Sequence, residues 1–129
     1  MNAYPEKQHY TADDLAAIIA ILRDPDNGCP WDKVQTHQSI RKNFLEETCE
    51  VLEAIDADDP AMLREELGDA LFILCKIAQM FGVDPEDALH RACDKYQGRF
   101  RRVADAADRP LNAYTEAEKI ALWEQAKEN

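Results

Sequence analysis

The chain has 129 residues, enough for one ordinary domain with a core of its own. An apolar content of 46% argues against a disordered chain, and sparse Gly and Pro favour helices over many short strands. A formal net charge of -11 argues against passive attraction to DNA, RNA or anionic lipid. A phosphate substrate stays open, because bound divalent cations invert the local field.

The opening residues, Met1-Asn2-Ala3-Tyr4-Pro5-Glu6-Lys7, hold no signal-peptide apolar region. Thr11 reads as the N-cap of a first helix, with Asp13 and Asp14 in its first turn. Leu15, Ile18, Ile19 and Leu22 form its apolar stripe, and Arg23-Asp24-Pro25 ends it. Residues 24–32 are loop chemistry, dense in turn formers. Trp31 in that loop has two readings: a plug closing one end of the core, or an aromatic wall for a flat ligand.

A second helix is predicted from about His37 to Asp56. Ile40, Phe44, Thr48, Val51 and Ile55 share one side, and Leu45 and Leu52 widen it. Glu46, Glu47, Glu50 and Glu53 occupy the adjacent side. Asp59 and Pro60 suit the N-cap and first position of a third helix, which carries Leu63, Leu67, Leu71, Leu74 and Ala78. This helix is apolar nearly all round after Gly68, which implies a central place in a bundle or a subunit interface. Close helix packing is one reason to tolerate Gly68.

Gly82-Val83-Asp84-Pro85 repeats the stop and start, opening a fourth helix to about Ala106. Its C-terminal half turns basic, with Arg91, Lys95, Arg99, Arg101 and Arg102. Those cations either pair with surface acids or bind phosphate; Lys95 and Arg99, four apart, share a face. Thr115-Glu116-Ala117-Glu118 is a capping-box sequence that opens a short last helix with Ile120, Leu122 and Trp123.

No repeat or linker divides the chain, so residues 1–129 are expected to form a single domain. Cys29, Cys49, Cys75 and Cys93 form no CxxC pair and are expected to be reduced, buried thiols. The longest apolar run is too short to cross a bilayer. Together these features lead to the expectation of a soluble, cytoplasmic protein.

The chemistry concentrates in Glu46-Glu47-Thr48-Cys49-Glu50 and Glu65-Glu66-Leu67-Gly68-Asp69. In each, two carboxylates three residues apart lie on one helix face: Glu47 with Glu50, and Glu66 with Asp69. Asp69, between Leu67 and Leu71, is expected to be partly buried, which demands a partner, a proton or a metal. Facing pairs on neighbouring helices would make an all-oxygen site suited to Mg²⁺ or Mn²⁺ rather than Zn²⁺ or iron. With Lys95 and Arg99 downstream, the physical reading is a phosphoryl or pyrophosphate site; no P-loop motif is present.

From about Leu22 onward the sequence resembles the MazG-like all-α nucleoside triphosphate pyrophosphohydrolases. The resemblance rests on residues 22–32, on Glu46-Glu47-Thr48-Cys49-Glu50, and on Glu66-Leu67-Gly68-Asp69. It implies an all-α bundle of four to five helices, completed by dimerisation or a pair of dimers. It also implies that Glu47, Glu50, Glu66 and Asp69 ligate Mg²⁺, and that Glu46 orients the attacking water or supports the ligands. Lys95 and Arg99 would contact phosphate, and Trp123 and Lys127 would lie near the nucleotide. Trp31 falls in the family's proline-tryptophan loop, where it is a further candidate contact to the base. The implied reaction cleaves a nucleoside triphosphate between its α and β phosphorus atoms, giving monophosphate and pyrophosphate. Alternatives are a pyrophosphohydrolase restricted to dUTP or phosphoribosyl-ATP, and a non-catalytic helical interaction module. The best-known members often carry two tandem domains where this chain has one.

Overall fold

A computed structural model describes residues 3–128. Among the described residues every regular element is helical: α1 (Ala12–Leu22), α2 (His37–Asp56), α3 (Pro60–Met80), α4 (Pro85–Ala106), a 3₁₀ turn (Leu111–Ala113) and α5 (Glu116–Lys127). No helix is long and apolar enough to cross a membrane. The all-α class and the helix boundaries read from the sequence are those observed. The caps explain the agreement. Thr11 with Asp14, and Thr115 with Glu118, form reciprocal capping boxes, and Asp59 accepts from the backbone of Ala61 and Met62. One cap escaped the sequence reading: Thr36 with Ser39 at the start of α2.

The chain divides into two compact units, one ending at Glu86 and the other beginning at Asp87. In the first, α3 packs on both α1 and α2. Ile19, Ile40, Ala54, Ile73 and Cys75 form the buried centre. Asp14 ties the segment before α1 to that helix, accepting from Lys7 Nζ at 2.5 Å and the Tyr4 hydroxyl at 2.6 Å. The lysine contact, then the tyrosine contact, hold its carboxyl far below the usual range.

The loop after α1 folds tightly on itself. Gly28 N donates to Asp24 O, and Cys29 N to Leu22 O, both at 2.8 Å. A Cβ at Gly28 would meet Asp24 O at 2.3 Å, so only glycine fits this close approach. Lys76, in the apolar run of α3, pairs with the Asp32 carboxylate, and Arg23 Nη1 donates to the Asp32 carbonyl at 2.6 Å. Burial opposes ionisation of Asp32, yet hydrogen bonds from Lys76 and Cys29 hold its carboxyl below the usual range.

Several burial expectations are corrected. Trp31 is 80% exposed and does not plug the core; an ion pair and backbone bonds secure the loop instead. The stripe of α2 is covered at Ile40, but Phe44, Leu45, Leu52 and Ile55 are exposed, as are Leu67, Leu71 and Leu74 on α3. Among the described residues these side chains are left partly open to solvent. A Cβ placed at Gly68 would enter open space, so close helix packing does not explain this glycine. Cys75 is buried, but Cys49 and Cys93 are exposed; all four cysteines are free.

In the second unit, Trp123 of α5 stacks on Tyr96 of α4 at 6.2 Å and meets Phe100 at 5.2 Å. Arg102 Nε donates to Ala126 O at 2.9 Å, tying the same helices. The connection between them is braced by Arg109, which lies 3.8 Å over the Tyr114 ring and bonds Glu118 at 2.9 Å.

Candidate functional site

The turn between α2 and α3 sets the register of the acidic residues. Asp56 ends α2 and Pro60 begins α3. Glu47 is nine residues before the first and Asp69 nine after the second; Glu50 and Glu66 are each six away. In a helical hairpin, equal distances from the turn bring residues level. Glu47, Glu66 and Asp69 each offer a carboxylate oxygen within 4.8 Å of the others. Glu50 stands outside that group of three, but its charge acts on both Glu47 and Glu66.

The cluster is electrostatically incomplete. Desolvation, then the charges of Glu50 and Asp69, raise the carboxyls of both Glu47 and Glu66 above the usual range. Glu47 Oε2 is buried with no hydrogen-bond partner. Among the described residues no ion pair reaches Glu47, Glu50, Glu66 or Asp69. A donor set of carboxylate oxygens with an orphaned oxygen and no cationic side chain fits a hard divalent ion. Asp69 itself is exposed, contrary to the burial expected of it, because Leu67 and Leu71 beside it are 47% and 60% exposed. Glu46 is not in this group of three and pairs with Lys42 Nζ at 3.8 Å.

Lys95, Arg99, Trp123 and Lys127 belong to the second unit. There Arg99 sits over the rings of Tyr96 at 5.7 Å and Trp123 at 5.8 Å, while Lys95 Nζ is 4.9 Å from Tyr96. Lys127 pairs with Glu124 at 2.9 Å, so its ammonium is engaged on its own helix. Trp31 belongs to the first unit. Sequence reading missed the role of Tyr96, whose ring lies beside Lys95 and Arg99, and Lys76, whose signal was a lone charge inside Ile73-Leu74-Cys75-Lys76-Ile77-Ala78.

The sequence profile of the MazG nucleotide pyrophosphohydrolase domain matches residues 35–104. The chain belongs to this family. The matched region holds α2, α3, the whole acidic cluster, Lys95 and Arg99; Trp31, Trp123 and Lys127 fall outside it. A nucleoside triphosphate pyrophosphohydrolase of Escherichia coli K12 is 41% identical over 115 residues, covering 89% of this chain and 44% of that protein. The nucleoside triphosphate pyrophosphohydrolase/pyrophosphatase MazG of Thermotoga maritima is 35% identical, over 89% of this chain and 46% of its own. An uncharacterised Bacillus subtilis protein, YabN, is 38% identical over 86% of this chain and 22% of its own. The chain thus spans less than half the length of these relatives. No solved structure matches it.

Proposed function

We propose that this MazG-family chain is a Mg²⁺-dependent nucleoside triphosphate pyrophosphohydrolase that cleaves between the α and β phosphates. The convergence of Glu47, Glu66 and Asp69, without a cationic side chain to balance them, is the observation that carries this reading. Glu47, Glu50, Glu66 and Asp69 would hold Mg²⁺, or Mn²⁺ in its place. When bound, such an ion neutralises phosphate charge and lowers the pKa of a coordinated water. Glu46, exposed and only loosely engaged by Lys42, would help orient the attacking water. Lys95 and Arg99 would stabilise charge on the departing pyrophosphate. Tyr96 and Trp123 restrict the Arg99 guanidinium in advance, which lowers the entropy lost on binding. Trp123 and Lys127 would lie near the nucleotide, Lys127 exchanging Glu124 for it. In this reading the two units act as one domain in the cytoplasm.

Product analysis tests the reaction. Incubation with each nucleoside triphosphate and Mg²⁺ is expected to yield monophosphate and pyrophosphate. Diphosphate and phosphate would refute the cleavage position, and no turnover with any triphosphate would refute the activity.

The same proposal includes a dimer. Phe44, Leu45, Leu52 and Ile55 on α2, and Leu67, Leu71 and Leu74 on α3, leave seven large apolar side chains in water. Pairing α2 and α3 with those of a second copy would cover these side chains in a four-helix layer. Leu74→Glu is therefore expected to convert a micromolar dimer to monomer in sedimentation. A wild-type chain that sediments as a monomer, or a variant that stays dimeric, would remove this part of the proposal.

A further inference from the structure

The cations of α4 divide by partner. Arg91 Nε donates to the Asp87 carboxylate at 2.8 Å, while Lys95 and Arg99 lie against aromatic rings. Arg102 does neither: its Nε donates to the Ala126 carbonyl at 2.9 Å. Ala126 is 3% exposed and lies in the last turn of α5, where backbone carbonyls lack partners within the helix. A cavity of about 280 Å³ adjoins this bond, lined by Arg102, Asp105, Ala106, Leu122, Gln125 and Ala126. Side-chain packing leaves room between α4 and α5 there, so the hydrogen bond sets their spacing.

Trp123 stands three residues before Ala126, within one turn of α5, and Arg99 three before Arg102 on the same face of α4. The two helices therefore meet at successive turns. At one, the Arg99 guanidinium is 5.8 Å from the Trp123 ring and 5.7 Å from the Tyr96 ring, and those rings are 10° from parallel. At the next, Arg102 holds the carbonyl. An indole that moves with its turn takes the support of the guanidinium with it.

We propose that Arg102 is a positioning residue for Arg99: it fixes the turn of α5 that carries Trp123, and the Trp123 ring orients the Arg99 guanidinium. This rests on the reading of Arg99 as a phosphate contact. In this role Arg102 does not touch substrate. A guanidinium oriented in advance loses less freedom on binding and meets developing charge without reorganisation.

A double-mutant cycle tests this, with kcat and KM for the nucleoside triphosphates measured with Mg²⁺. Arg102→Met removes the donor and is expected to lower kcat/KM about tenfold when Arg99 is present, but less than about twofold in an Arg99→Gln background. Arg102→Lys, which keeps a donor on a flexible stem, should fall between Arg102→Met and wild type. It decides the matter if Arg102→Met loses its helical circular dichroism. Trp31→Phe leaves Trp123 as the one tryptophan of the chain, and there acrylamide quenching of its fluorescence should rise when Arg102→Met is added. An equal loss of kcat/KM with and without Arg99 would overturn the proposal, as would no loss at all. Unchanged quenching would overturn the route through Trp123. A wild-type chain that turns over no triphosphate would sink the proposed reaction, and quenching would still decide whether Arg102 fixes Trp123. Turnover that needs Arg99 but is indifferent to Arg102 would keep the reaction and sink this inference.

Discussion

Glu50→Gln and Asp69→Asn are each expected to lower turnover about a hundredfold to a thousandfold while the helical circular dichroism stays unchanged. Each substitution keeps side-chain size and removes one negative charge. Glu50 lies level with Glu66 across the hairpin, and its charge acts on both Glu47 and Glu66. Asp69 lies level with Glu47, and one of its oxygens is within 4.8 Å of the others. Loss of either removes a donor that a hard cation needs. Without a cation the same loss relieves repulsion, since both residues push the carboxyls of Glu47 and Glu66 upward. The metal-free variants should therefore melt no lower than metal-free wild type. Wild-type turnover in both variants would rule out these ligands.

Lys76→Met is expected to destabilise the protein by about 3 kcal/mol, read by denaturant unfolding, because it leaves the Asp32 carboxylate enclosed without its cation. Lys76→Met with Asp32→Leu should recover most of that loss, since two apolar side chains replace the pair without an orphaned charge. The pH dependence has a definite sign. The Asp32 carboxyl is depressed in the folded protein, so its contribution is present above the unfolded carboxylate pKa. That contribution fades as pH falls through the lower, folded value. Wild type should lose it on acidification, and the double variant should show a flatter profile there. Equal stability of Lys76→Met and wild type at neutral pH would show that the pair carries no such energy.

The local rules of helix formation were legible because the sequence states them at each junction. Thr11 with Asp14, Asp59 with Pro60, and Thr115 with Glu118 all mark helix starts by side-chain chemistry within four residues. The acidic cluster followed from the same rules, since a short turn between two helices fixes which residues stand level. What depended on long-range cover was not legible. Periodicity marks Phe44, Leu67 and Leu71 as apolar but cannot say whether their cover belongs to the same chain, and in this chain they are exposed. Asp69 was misjudged for that reason: its apolar neighbours are themselves in water. Trp31 and Lys76 were hidden differently. The loop is closed by an ion pair spanning 44 residues of sequence, and no local pattern pairs Asp32 with a lysine in the middle of an apolar helix.

The acidic cluster can be probed with Mn²⁺, a spin-bearing stand-in for Mg²⁺, titrated into the protein and followed by electron paramagnetic resonance. Wild type is expected to bind the ion at this site, with affinity falling as pH is lowered through the raised range of Glu47 and Glu66, because protons then compete for the same oxygens. Glu66→Gln combined with Asp69→Asn should abolish that binding. Undiminished Mn²⁺ binding in the double variant, or none in wild type, would contradict the assignment of these carboxylates as a cation site.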